Sequence, residues 1–126
     1  MRRLRDLGKL MTSDIWTVTV DCSNPKELAR FWCEVLDYES AYEDDDEVAI
    51  ESRTKAGPVL LFLKVLEDKG AKNRIHLDLN PDDQAAEVER LKGLGAVEAD
   101  IGQGTEVSWI VLADPEDNEF CVLAPR

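Results

Sequence analysis

The feature that most constrains this chain is a strand-and-helix pattern that occurs twice. In IWTVTVDC, Trp16, Val18, Val20 and Cys22 fall on one face and Thr17, Thr19 and Asp21 on the other, the alternation of a half-buried strand. SNPKELARFWCEVLDY follows. Asn24 is placed to cap a helix, Pro25 fits its first position, and Glu27 stands where a capping-box carboxylate would reach back. Leu28, Phe31, Trp32, Val35 and Leu36 recur at three-and-four spacing, which gives that helix one apolar face. Three β-like runs come next, Tyr38–Tyr42, Val48–Arg53 and Val59–Leu66, separated by the acidic turn EDDDE and by KAGP.

After EDKGAKN the order restarts. In RIHLDLN, Ile75, Leu77 and Leu79 share one face, and His76 and Asp78 share the other. The pair Asn80-Pro81 repeats Asn24-Pro25 as a helix start. DDQAAEVERLKGLG carries Ala85, Val88 and Leu91 on one side, and Gly95 is placed to stop the helix. Runs at Val97–Ile101, Glu106–Ala113 and Glu119–Ala124 complete a second βαβββ unit, about 56 residues after the first. Each helix needs an apolar sheet face to cover. The opposite faces are then free to line a cavity, with Thr17, Thr19 and Asp21 corresponding to His76, Asp78 and Asn80.

The totals limit the partners. The 126 residues are enough for one domain with a single core. A formal net charge of −12 argues against nucleic acid and against an anionic membrane surface, both of which call for clustered Lys and Arg. No apolar run approaches the roughly 20 residues of a membrane span. Cys22, Cys33 and Cys121 are odd in number and form no CxxC, so reduced thiols in a cytoplasmic protein are expected. MRRLRDLGKL is basic and lacks a continuous apolar stretch, so it does not read as a secretory signal. Residues 1–11 read as an extension outside the fold, with a short docked helix as the alternative. Residues 12–126 read as one domain, with modules at about 14–66 and 73–125.

VTVDCSNPKELARFWCEVLDYE, NRIHLDLNPDDQAAEVERLKGLGA and VLADPEDNEFCVLAP together resemble the vicinal oxygen chelate superfamily, the glyoxalase and bleomycin-resistance proteins, over residues 14–125. More narrowly the chain is similar to uncharacterised glyoxalase-like proteins. The resemblance implies an α+β fold of two βαβββ modules whose sheets form a U-shaped cleft. A glycine often stands in that pattern where this chain has Asp117, so a left-handed aspartate is expected there. In the superfamily's metal enzymes, ligands come from the first and last strands of each module. Carried over, these positions fall on Thr17, on Phe62 or Leu63, on His76 and on Cys121. Thr17 is a poor ligand and Phe62 and Leu63 offer no donor, so only His76 and Cys121 remain. That is short of the three protein donors a catalytic divalent site needs.

The expectation is therefore a protein that binds a small organic molecule in its cleft, with no metal and no cofactor. The alternative is a divalent-metal-dependent lyase, isomerase or dioxygenase, and whether the protein is an enzyme stays open. The candidate ligand-binding residues are His76, Thr17, Asp78, Trp109 and Cys121. For His76 a cavity role stands beside the plainer reading of a strand histidine bonded to Asp78. Cys121 reads chiefly as a small buried hydrophobe. Cys22, Cys33, Trp16 and Trp32 read as core, and EDDDE as a solvated hairpin tip. Sheet edges left incomplete in each half lead to the expectation of a homodimer.

Overall fold

A computed structural model of the protein describes residues 15–66, 73, 75–100, 103–104 and 106–125. The N-terminal extension expected at 1–11, most of the EDKGAKN turn and Ile101 lie outside the described residues. The elements run β1 (Thr17–Cys22), α1 (Pro25–Leu36), β2 (Tyr38–Glu43), β3 (Glu47–Ser52), β4 (Val59–Lys64), β5 (Asp78–Leu79), α2 (Gln84–Leu94), β6 (Val97–Glu98), β7 (Ile110–Ala113) and β8 (Glu119–Val122). The duplication read from the sequence is thus an α+β fold with two four-stranded sheets, ordered β1-β4-β3-β2 and β5-β8-β7-β6. In each, the first strand is parallel to the last and the other pairs are antiparallel. No helix among the described residues is long and apolar enough to cross a membrane.

Leu28, Ala29, Phe31, Trp32 and Val35 of α1 are buried, and they pack with Val48, Ile50, Leu60 and Phe62 of the first sheet. The second sheet contributes Leu112, Phe120 and Val122, and α2 adds Val88 and Leu91. Ala85 stays exposed, so α2's apolar stripe is narrower than its spacing implied. Trp16, expected in the core, is 80% exposed. Its carbonyl accepts the Val59 N–H at 2.9 Å, but the buried cluster reaches only Val18, Val20 and Cys22 on that face. Ile75 is likewise 80% exposed, although Leu77 and Leu79 pack against the core.

The helix ends separate local from tertiary signals. Asn24 caps α1 as expected, its side-chain oxygen accepting the Glu27 N–H at 3.3 Å, with Pro25 in the first helical position. Glu27 does not close a capping box. That role passes to Glu116 of the second module, whose carboxylate accepts the N–H groups of Ser23 at 2.6 Å and Asn24 at 2.7 Å. The second Asn-Pro pair does not start α2. Asp83 caps that helix, accepting the Ala86 N–H at 3.0 Å. Gln84 then donates to the carbonyls of Ser108 and Val122, which fixes the first turn of α2 against β8. Gly95 stops the helix at φ 120°, and Asp117 takes the left-handed backbone expected of it, at φ 65°.

The second module holds α1 at three places. Glu116 sits at its N-terminus, where the helix dipole favours an anion. Arg90 of α2, itself held by Glu87, donates to the carbonyls of Glu34 at 3.0 Å and Val35 at 3.1 Å, where the dipole favours a cation. Between them Trp32 Nε1 donates to Asp114 Oδ2 at 3.0 Å, and Phe31, Trp32 and Phe120 pack edge-on with ring centres 5.0–6.2 Å apart. Asp114 is 3% exposed. Burial pushes its carboxyl pKa up, against the pull of hydrogen bonds from Asn118, Trp32 and the Glu116 backbone.

Two outcomes follow. Glu116→Ala lowers stability by about 1–2 kcal/mol in urea unfolding, because two charge-assisted helix-start bonds are lost, whereas Glu27→Ala changes it by less than about 0.5 kcal/mol. Asp114 keeps its proton to higher pH folded than unfolded. Its contribution is therefore full below the ordinary carboxylate range and is lost as pH rises above about 4 through the raised value. The stability of the wild type relative to D114N should fall over that interval. A difference that stays flat or rises with pH contradicts the assignment.

Candidate functional site

The two modules leave a cavity of about 230 Å³ where their first strands approach each other. Consecutive residues line it on both sides, Val18 to Asp21 on β1 and Ile75 to Leu77 leading into β5, so both strands are met edge-on. This follows from the ladders. β1 and β5 are edge strands, and the carbonyls of Trp16 and Cys22 bond β4 while those of Leu77 and Leu79 bond β8. In a parallel ladder alternate residues turn to the same neighbour, so the intervening backbone groups face the seam. Leu60, Phe62, Trp32 and Phe120 close the apolar floor.

Polar side chains line it from both modules, Thr19 and Asp21 on β1 and Asn73, His76, Asp114 and Asn118 of the second. Asp114 organises the β7–β8 turn. Its carboxylate accepts from Trp32 Nε1, from the Glu116 and Asn118 N–H groups and from the Asn118 side chain, at 2.9–3.2 Å. Asn73 fixes the approach to β5. It accepts the Glu119 N–H at 3.1 Å and donates to the carbonyls of Ile75 and Glu119. Neither Asn73, Asp114 nor Asn118 stood out in the sequence as a site residue. The Asp-Pro turn signal in DPEDN was visible, but its inward aim depends on where Trp32 lies.

The five candidates separate. His76 lines the cavity. Its Nδ1 lies 3.1 Å from Asp78 Oδ1, with both side chains partly exposed. The imidazole thus lies beside Asp78 and against the cavity, on the segment that enters β5 rather than within a strand. Asp78 and Cys121 do not line the cavity. They are register partners across β5 and β8, and one donor atom each from His76, Asp78 and Cys121 lie within 4.8 Å of one another. Thr17 does not line the cavity, to which β1 contributes Val18 to Asp21. Trp109, 39% exposed, precedes β7 and is not among the cavity residues. Cys22 is buried, and burial together with Glu116, Asp21 and Asp114 pushes its thiol up to about 12, which fits a structural role.

The residues at the superfamily's metal positions do not fit that ion set. Thr17, a poor ligand by its chemistry, does not line the cavity, and Phe62, fully buried in the core, carries no donor atom. Asp78, two residues beyond His76 and 3.1 Å from it, was not among the transferred positions. It raises the donor count on the second sheet from two to three.

Comparison with known proteins follows this architecture. The glyoxalase-like domain family matches residues 17–123. Comparison with curated proteins finds no match. Among solved structures, a glyoxalase/bleomycin resistance protein/dioxygenase family enzyme from Burkholderia phytofirmans PsJN is 17% identical, with a TM-score of 0.69, over 90% of this chain and 100% of that one. The fosfomycin resistance protein FosX from Listeria monocytogenes, a mutant complexed with Mn(II) and 1S,2S-dihydroxypropylphosphonic acid, is 16% identical, with a TM-score of 0.72, over 92% of this chain and 93% of that one. TnmS3, an antibiotic binding protein from Streptomyces sp. CB03234, is 17% identical, with a TM-score of 0.66, over 93% of this chain and 99% of that one. Two βαβββ units, a cavity at their seam and a family match across nearly all the described residues lead to one statement: the chain belongs to the glyoxalase-like domain family.

Proposed function

We propose that the protein binds a small organic molecule at the seam between its modules through its own side chains, without the hard divalent ion of the superfamily's enzymes. The observation that carries this reading is the cavity of about 230 Å³ that both modules line, with an apolar floor and most of its polar groups on the second module. Its volume lies below the roughly 300–1,000 Å³ of drug-sized pockets, so the occupant is a compact molecule or the compact end of a larger one. His76 gives the polarity. With Nδ1 paired to Asp78, Nε2 has no partner among the described residues. A neutral imidazole that donates from Nδ1 accepts at Nε2, which suits a ligand hydroxyl or amine N–H. Asp21 on the opposite wall favours a cationic group. An antibiotic binding protein among the structural neighbours fits this direction.

The same reading includes a cytoplasmic homodimer. No disulfide joins any of the three cysteines, in keeping with a reducing compartment. Ile15 and Trp16 just before β1 and Ile75 just before β5, all more than three-quarters exposed, flank the two edge strands and offer apolar surface to a second copy.

A thermal-shift screen of compact hydroxylated and amine-bearing metabolites and antibiotics tests the binding reading. A binder at 100 times its Kd should stabilise the fold by about 2.7 kcal/mol. His76→Gln should weaken that binder by roughly tenfold, as expected for one hydrogen bond. Val20→Phe, which narrows the cavity, should abolish binding while the fold is retained. A panel without a binder, or a binder indifferent to both substitutions, ends the proposal. Light scattering of the wild type and Trp16→Glu separates a dimer held by this edge from a monomer.

A further inference from the structure

We propose that His76, Asp78 and Cys121 form a binding site for a zinc-class divalent cation at the rim of the cavity. The site is built by strand register. Asp78 pairs with Cys121 across the parallel β5–β8 ladder, and His76, two residues earlier in the segment that enters β5, sets its Nδ1 beside the Asp78 carboxylate. The face carrying Asp78 and Cys121 lies opposite the one that turns Leu79, Phe120 and Val122 to the main core. The register therefore places an imidazole, a carboxylate and a thiol together on one sheet, with donor atoms within 4.8 Å of one another and His76 Nδ1 3.1 Å from Asp78 Oδ1.

The donor types select the ion. Nitrogen, oxygen and sulfur donors are those of tetrahedral zinc sites, and three protein ligands leave the fourth position open. With zinc–ligand bonds of about 2.0–2.3 Å, donors in a tetrahedral set stand roughly 3.3–3.8 Å apart, so closure asks for movements of about 1 Å. The groups able to move are the right ones. The His76 and Asp78 side chains are 43% and 49% exposed, while the Cys121 thiol is fixed in a buried position beside Val111. Among the described residues Asp78 has no Lys or Arg partner that a cation would have to displace. A thiolate disfavours magnesium and manganese and suits zinc, cobalt and cadmium.

The set departs from the superfamily pattern, because Asp78 stands in for the first-strand donor that Thr17 does not supply. His76 is the only one of the three that lines the cavity, so an ion would couple the site to whatever the cavity holds. When bound, such an ion supplies Lewis acidity next to the ligand pocket. The site does not depend on the organic-ligand reading, and the metal alone tests it.

The experiment titrates chelator-treated protein with cobalt(II) and follows the near-ultraviolet thiolate-to-cobalt charge-transfer band and the visible bands of a tetrahedral ion. One equivalent should develop both, zinc should displace the cobalt, and zinc but not magnesium should raise the Tm. Cys121→Ser should remove the charge-transfer band, and His76→Gln and Asp78→Asn should each weaken cobalt by about tenfold or more. Cys33→Ser should leave the titration unchanged. If Cys121→Ser folds poorly, the exposed His76 and Asp78 variants carry the same test. No charge-transfer band, a band that survives both exposed-residue variants, or stabilisation by magnesium equal to that by zinc would overturn the site while leaving the cavity proposal intact.

Discussion

The grip of the second module on α1 is the constraint on which the remaining architecture depends. α1 grows from the first module and covers the first sheet, yet Glu116 meets the N–H groups of Ser23 and its N-cap Asn24, and Arg90 meets the carbonyls of Glu34 and Val35 in its last turn. Each charge has the sign the helix dipole favours at that end. Between them the Trp32–Asp114 bond and the edge-on rings of Phe31, Trp32 and Phe120 fix the rotation of the helix about its axis. A helix held at both ends and along its buried face leaves its two sheets little freedom to slide, and the width of the seam between β1 and β5 is set accordingly.

The site lies where that seam leaves strand edges unpaired. Edge strands usually demand cover, because their outward N–H and C=O groups are unsatisfied. Here two edges face each other across an apolar floor, and the gap between them is the cavity. The buried Asp114 serves both ends of this arrangement: it bonds the helix indole and shapes the turn whose Asn118 reaches the same cavity. Stability and site geometry thus share one carboxylate.

Much of the fold was legible because its signals are local. The alternation of β1, the Asn24-Pro25 helix start, the Gly95 stop and the left-handed Asp117 all depend on a residue's own backbone preference and its nearest neighbours. The second Asn-Pro pair was misleading because a cap is decided by which side chain reaches a free N–H. Asp83 does so once Gln84 is bonded to the carbonyls of Ser108 and Val122. Trp16 carries the parity of a core residue, but a strand face is buried only as far as the packing against it extends.

The sequence alone determined the duplicated modules, the class of fold, the helix starts made by local capping and the two-residue spacing of His76 and Asp78. Hydrophobic period and backbone preference are properties of short segments, so they can be read in order along the chain. Only the tertiary structure decided that Glu116 rather than Glu27 completes the α1 cap, that Asp114 lies buried against Trp32, that Cys121 lies beside Asp78, and that Thr17 and Trp109 do not line the cavity. Those outcomes depend on strand register and on the packing of one module against the other. Both join residues distant in sequence, and no short stretch of the chain specifies them.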